Sequence, residues 1–206
     1  LIYPGVTALD FVGPAQILSQ APGMSVDIIA KTSDPVLTDS GYAVVPTKSC
    51  ADVSALDMIC IPGGTGQQVV MDDDDIVAFV RTIGQKAKFV SSVCSGSLLL
   101  GKAGLLEGYK ATSHWAFVDD LARYGAIPTH ERVVIDRNRI TGAGVSAGID
   151  FAFTFIAEHL GEDIARVLQL GIEYDPAPPF DSGSPEKAGP EITAPVRDLF
   201  KSMIQL

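Results

Sequence analysis

The sequence predicts an α/β protein built around a doubly wound parallel sheet. Three observations lead there. Short apolar runs alternate with helix-length runs along the whole chain, the pattern of strands joined by helical crossovers. Asp57-Met58-Ile59-Cys60-Ile61 becomes continuously apolar after its first residue, as a strand covered on both faces does. The segments after the strands carry the reactive residue types: Asp10, the Gly63-Gly64 pair, Cys94, His114 and Gly142-Ala143-Gly144. Ligands of doubly wound sheets sit beyond the carboxyl ends of the strands, so these loops are expected to meet at one crevice. The 206 residues suffice for one generous domain, 1–206, and are short for two.

In chain order, Leu1-Ile2-Tyr3 reads as the end of a first strand. Pro4-Gly5-Val6-Thr7 is a loop leading into a helix that runs to about Ser19. Asp10 lies between Leu9 and Phe11 in that segment; either it caps the helix or it faces a pocket. Val26-Asp27-Ile28-Ile29-Ala30 alternates as a second strand, and 36–45 resembles a hairpin around Ser40-Gly41. The strand over 57–61 runs into Pro62-Gly63-Gly64-Thr65-Gly66. Paired glycines after a strand let backbone N–H groups turn toward a ligand; the alternative is a tight turn before a helix. No Gly-Lys-Ser/Thr follows and no dinucleotide fingerprint is matched. The acidic run 72–75 reads as a solvated start to a helix over 74–85, since carboxylates favour a helix N-terminus.

A strand over 88–93, an abrupt turn at Cys94 and a helix to about Ala103 follow. Ser92 and Gly96 flank Cys94 at minus two and plus two. That is the small-x-nucleophile-x-small spacing of a nucleophile elbow, where flanking backbones come too close for larger side chains. Such a turn sets the thiol beside the free N–H groups of a helix N-terminus, which favour the thiolate. A buried structural cysteine is the alternative. Ala111-Thr112-Ser113 is a short strand ending at His114-Trp115. His114 either lines the pocket or is a hydrogen-bonded structural residue, and Trp115, the one Trp, is core or pocket wall. Residues 117–124 read as helical, and 133–135 pairs with 139–142 around Asp136-Arg137-Asn138. The glycine-rich 142–148 opens a long apolar helix to about Leu160, and another helix covers 162–170. The Pro/Gly-rich 174–190 reads as a surface loop, and a last helix is expected over 196–205.

Composition narrows the function. The net charge is −10 and no Lys/Arg-rich run occurs, which argues against nucleic acid as a partner. Cys50, Cys60 and Cys94 form no CxxC pair, and His114, His130 and His159 lack ligand spacing, which argues against a disulfide framework or a zinc site. Cys50 and Cys60 read as packing. No apolar stretch is long enough to span a membrane and no signal peptide is visible, so a cytoplasmic, reducing setting is expected. The chain opens at Leu1 without Met, already inside an apparent strand, which leaves room for further native residues.

Five motifs together resemble the DJ-1/PfpI superfamily. They are Tyr-Pro-Gly-x-x-x-Leu-Asp-Phe-x-Gly-Pro from Tyr3 to Pro14, Ile-Pro-Gly-Gly from Ile61, Ser-Val-Cys-Ser-Gly from Ser92, Thr-Ser-His-Trp from Thr112, and Ala-Gly-Ile-Asp from Ala147. Within the superfamily the chain is most similar to the branch that hydrates isocyanides, and Glu173-Tyr174-Asp175-Pro176-Ala177-Pro178-Pro179-Phe180 is the more selective marker of that branch. The resemblance implies a flavodoxin-like, mostly parallel sheet with helices on both faces, akin to class I glutamine amidotransferases. It implies a homodimer without metal or organic cofactor. It implies Cys94 as nucleophile and Asp10 as the acidic residue at the thiol. The residue after Cys94 is Ser95, where the proteolytic branch carries His, so a Cys-His protease mechanism has no base at that position. The same fold opens AraC-type transcription regulators, which continue into a helix-turn-helix; this chain stops at Leu206 without a basic recognition segment, which favours the free-standing enzyme over a ligand- or redox-sensing domain.

The expected chemistry is attack of the Cys94 thiolate on the terminal carbon of an isocyanide, with a protonated Asp10 delivering the proton to that carbon. Water then releases an N-substituted formamide. Gly64 N–H and the amide of Ser95 are the expected donors to developing charge, and Ser95 is expected to orient Asp10. Gly63, Ser95, His114, Trp115 and Val145 are expected around the pocket.

Overall fold

The computed structural model describes residues 1–203; the end of the last helix expected near Gln205 lies outside the described residues. In chain order, α1 (Ala8–Leu18) is followed by four two-residue strands, β1 (Ile29–Ala30), β2 (Val36–Leu37), β3 (Ala43–Val44) and β4 (Lys48–Ser49). Then come β5 (Met58–Ile61), α2 (Gln67–Met71), α3 (Asp74–Lys86), β6 (Phe89–Val93) and α4 (Gly96–Lys102). The last part holds β7 (Lys110–Ala111), β8 (Ile127–Pro128), β9 (Val133–Asp136), β10 (Arg139–Gly142), α5 (Ala147–Leu160), α6 (Glu162–Gly171), α7 (Pro185–Ala188) and α8 (Pro190–Met203).

Four strands form the central sheet in the order β5-β6-β10-β9. β5, β6 and β10 are mutually parallel, and β9 closes the edge antiparallel to β10. The register sets Ile61 beside Ser92, and Val93 beside Gly142. The loops leaving β5, β6 and β10 therefore emerge together at one end. On one sheet face Val70, Val80, Ile83, Val90, Leu98 and Leu99 are packed beneath α2, α3 and α4. On the other, Ile17, Val93, Ile140, Phe151 and Phe155 are packed between α1, α5 and the sheet. Helices on both faces of a mostly parallel sheet are the α/β arrangement predicted from the alternating runs. Among the described residues no helix is long and apolar enough to cross a membrane.

Several elements depart from the sequence reading. Leu1-Ile2-Tyr3 forms no ladder, although Ile2 N–H donates to Ile29 O at 2.7 Å and the Leu1 nitrogen to Cys60 O at 2.9 Å. It lies extended between β1 and β5, and the turn at Pro4-Gly5 ends it before a ladder forms. The strand read at 26–30 shrinks to β1, and that read at 111–113 to β7. Residues 118–124 coil as a 3₁₀ helix rather than an α-helix. The presumed surface loop 174–190 contains α7, and the final helix starts at Pro190, not 196. The signal for α7 was present: Ser184 caps it through Lys187 N–H, with Pro185 at the first helical position. The acidic run behaves as read, since the Asp73 carboxylate accepts from Asp75 N–H at 3.1 Å and Ile76 N–H at 3.3 Å.

Candidate active site

Cys94 directly follows β6, with φ of 59°. A non-glycine residue held in the left-handed region costs about 1–3 kcal/mol and persists only where its surroundings enforce it. Here the peptide is held on both sides. Cys94 N–H donates to Gly142 O and Ala143 O at 3.1 and 2.8 Å, and its carbonyl accepts from Ser97 Oγ and Ser113 Oγ at 3.3 and 3.1 Å. The small residue at plus two is obligatory, since a Cβ on Gly96 would stand 2.0 Å from Ile61 O. The elbow read from Ser92, Cys94 and Gly96 is thus the local structure.

The thiol lies buried at the N-terminal side of α4, with the N–H groups of Ser95 and Val145 directed at it. Opposite stands Asp10, with no solvent exposure, in the first turn of α1. The N-cap position belongs to Thr7, so of the two readings left open for Asp10 the structure selects the pocket. Asp10 Oδ2 accepts from Gly63 N–H at 2.8 Å. Its Oδ1 has no hydrogen-bond partner, and the carboxyl lies beside the Cys94 thiol. Burial pushes the Asp10 carboxyl up to about 7, against the pull of the Gly63 N–H and the thiol. Burial, and then the charge of Asp10, pushes the Cys94 thiol well above its ordinary value despite the two amides. Two anions so close in a dry site repel, so near neutral pH the pair keeps one proton between sulfur and carboxyl. Desolvation of the sulfur opposes the pull of those amides toward the thiolate, and the single proton belongs to the Cys94–Asp10 pair as a unit.

Two further expectations change. Gly64 N–H does not point at the thiol; it donates to Ser95 Oγ at 3.3 Å. Ser95 does not orient Asp10; its hydroxyl donates to Gln67 Oε1 at 3.2 Å. The backbone amides beside the sulfur are those of Ser95 and of Val145, a residue read from the sequence only as a pocket wall. Gly63, not Gly64, serves Asp10. A Cβ on Gly63 would sit 2.4 Å from Ser95 Oγ, so the turn and the elbow fit only with glycine there.

His114 is nearly buried and burial lowers it to about 4, so the ring is neutral at pH 7. Its Nδ1 accepts from Ala116 N–H at 3.3 Å, and its ring lies 4.4 Å from that of Phe200. A cavity of about 600 Å³ opens beside the site, bounded by His114, Trp115, Gly144 and Val145 on its inner side and by Arg132 and Arg197 nearer the rim. Cys94 does not itself line that cavity, although Ser113 and Val145 beside it do. Gln67 is the residue the sequence reading missed. It follows the glycine turn, where a polar residue looks like an ordinary solvated helix start, yet it has no solvent exposure.

A sheet of this order with a cysteine elbow at its carboxyl end and an acidic residue against the thiol defines a class. The family model of the DJ-1/PfpI family matches residues 1–158, and the chain belongs to that family. It is 47% identical over 188 residues to isonitrile hydratase of Pseudomonas putida, an alignment that takes in 91% of this chain and 82% of that one. It is 27% identical over 172 residues to the HTH-type transcriptional regulator CdhR of Pseudomonas aeruginosa, spanning 51% of that protein. Among solved structures, a THiJ/PfpI family protein from Pseudomonas syringae superposes with a TM-score of 0.94 at 46% identity, covering 98% of this chain and 84% of that one. Drosophila melanogaster DJ-1beta shares the fold, with a TM-score of 0.74 at 22% identity over 84% of this chain and 94% of that one.

Proposed function

We propose that this protein is an isocyanide hydratase, converting an isocyanide and water to an N-substituted formamide. The likeness to a protein named isonitrile hydratase supplies the reaction. The observation that gives it a means is the apposition of the buried Asp10 carboxyl, at about 7, to a thiol backed by two amides.

The steps balance on one proton. The isocyanide carbon carries both electrophilic character and a lone pair. As sulfur bonds to it, the proton of the Cys94–Asp10 pair passes through the carboxyl to that lone pair, giving a thioimidate and an ionised Asp10. Water then adds to the thioimidate carbon. Asp10 takes a proton from it and passes one to nitrogen. Collapse of the tetrahedral adduct breaks the carbon–sulfur bond, returns the hydroxyl proton to Asp10 and releases the formamide. The N–H groups of Ser95 and Val145 meet sulfur as it leaves with negative charge. His114, neutral and packed among aromatic rings, forms wall rather than base.

Residues 1–206 act as one domain, and the working unit is a homodimer without nucleic-acid or cofactor partners. Leu9 and Val12 support the dimer: both are about half exposed on α1, a surplus of apolar surface on a largely buried helix. The test of the function is production of a formamide, followed by loss of the isocyanide N≡C stretch, over many turnovers per subunit. Stoichiometric reaction without turnover would return the protein to the sensing class.

A further inference from the structure

Behind the site, on the sheet face away from α1, Gln67 joins three separate segments. It is the first residue of α2 and has no solvent exposure. Its Oε1 accepts from Tyr3 Oη at 2.9 Å and from Ser95 Oγ at 3.2 Å. Tyr3 Oη also reaches Pro62 O at 2.8 Å, so its single proton is shared between the turn and the glutamine. Ser95 Oγ in turn accepts from Gly64 N–H at 3.3 Å. Gln67 Nε2 finds no partner although it is buried. An amide half-satisfied in a dry interior is costly, because its unpaired N–H groups have given up water for nothing. A residue that only filled space here would better be apolar.

What the glutamine secures is the backbone around the reacting atoms. The Ser95 hydroxyl that it holds belongs to the residue whose N–H faces the Cys94 sulfur. The Gly64 amide tied to the same hydroxyl adjoins Gly63, whose N–H holds the Asp10 carboxyl. One side chain therefore sets both donors, the one at sulfur and the one at the acid, from a position that touches neither reacting group. We propose that Gln67 is a positioning residue for the Cys94–Asp10 pair, acting through the Ser95 hydroxyl with Tyr3 as its anchor. For catalysis this rests on the hydratase reading; for the thiol it does not.

The experiment uses the full chain and two readouts. One is the rate of Cys94 alkylation by iodoacetamide against pH, which needs no isocyanide. The other is kcat and KM for formamide production. Gln67→Met removes the acceptor and keeps the bulk; Ser95→Ala removes the hydroxyl; the two are combined in a double variant. Gln67→Met is expected to move the alkylation midpoint to higher pH, as Ser95 N–H loses its aim, and to lower kcat about tenfold with KM within about twofold, the scale of one buried hydrogen bond. The double variant is expected to be no slower than the slower single one, because both remove the same link. Additive losses, or a lower melting temperature with the alkylation profile unmoved, would overturn the proposal. If Gln67→Met fails to fold, Tyr3→Phe carries the test: it strips one donor from the glutamine and is expected to shift the midpoint the same way, and no shift refutes the role. A wild-type protein that makes no formamide overturns the hydratase reading alone, since the alkylation profiles still decide the part played by Gln67.

Discussion

Cys94 and Asp10 each sit in a place that penalises their charge, and their properties are best understood as those of a pair. Cys94→Ala is expected to abolish formamide production with the fold intact, checked by turnover and by circular dichroism, because no other residue here offers a thiol at an elbow. Asp10→Asn is expected to lower turnover by about a hundredfold or more, the scale of a positioned acid. It also removes the charge that raises the thiol, so Cys94 alkylation should reach its midpoint at lower pH than in the wild type. In the wild type kcat/KM is expected to rise as pH passes about 7, where Asp10 gives up the second proton of the pair; the Asn variant loses that limb. The stability effect has a definite sign. Asp10 is raised from 3.8 to about 7 in the folded chain, so folding favours its protonated form. Its contribution is most favourable below about 4 and is lost as pH rises through about 7. Urea denaturation should therefore find Asp10→Asn gaining on the wild type between pH 4 and pH 8, by on the order of a few kcal/mol.

At the scale of elements, the site is made where β5, β6 and β10 end side by side. The elbow is the most exacting junction. Gly96→Ala places a methyl against the Ile61 carbonyl, so β5 and β6 cannot both keep their register. The expected outcome is a melting temperature lowered by many degrees and loss of the left-handed turn, read as loss of fast Cys94 alkylation. The loop that carries Val145 is tied down from its far side. Arg132 bonds Asp150 in the first turn of α5, and Tyr174 Oη donates to Asp150 Oδ1 at 3.0 Å. Tyr174→Phe is expected to cost about 1 kcal/mol in stability and to leave KM little changed, because its ring still stacks on Phe153 at 5.6 Å. A several-fold rise in KM on that change would mean that the 174–180 segment meets the substrate directly.

For the whole molecule, net charge and surface decide the partners. A chain of net charge −10 has no electrostatic drive toward phosphates, and a gel-shift assay at physiological salt is expected to show no retarded DNA. A clear, salt-sensitive shift would revive the regulator reading that the likeness to CdhR suggests. Sedimentation is expected to give a dimer, and a charged substitution such as Val12→Asp on α1 is expected to shift it toward monomer. The two apolar cores flank the sheet without sharing it equally. The larger lies under α2, α3 and α4, and the smaller under α1 and α5. Asp10 rides on α1 between Ala8 and Phe11, which pack in the larger core, while Ile17 and Leu18 further along the helix pack in the smaller, so loosening α1 is expected to affect the acid before it affects the elbow.

Much of this was written in the chain, because some chemistry is local. The elbow at Cys94 depends on which side chains fit within two residues of a tight turn, and Ser92 and Gly96 state that directly. The apolar run of β5, the hairpin around Ser40-Gly41 and the antiparallel pair around Arg137 are likewise short-range consequences of composition and turn chemistry. The family motifs, each a few residues long, carried the resemblance for the same reason. What the sequence left open was every relation across distance. Whether Asp10 capped α1 or faced the thiol depended on Gly63 arriving beside it from another strand. Gly64 and Ser95 were the right residues with the wrong partners, because a hydrogen bond goes to whichever group packing brings near, and packing brought Gln67. How strongly burial opposes the helix N-terminus at Cys94 is a property of the assembled core, which no neighbour in sequence reveals. Sequence determines local conformation through sterics between neighbours; only the tertiary structure decides desolvation and long-range hydrogen bonding, because both are set by atoms far apart along the chain.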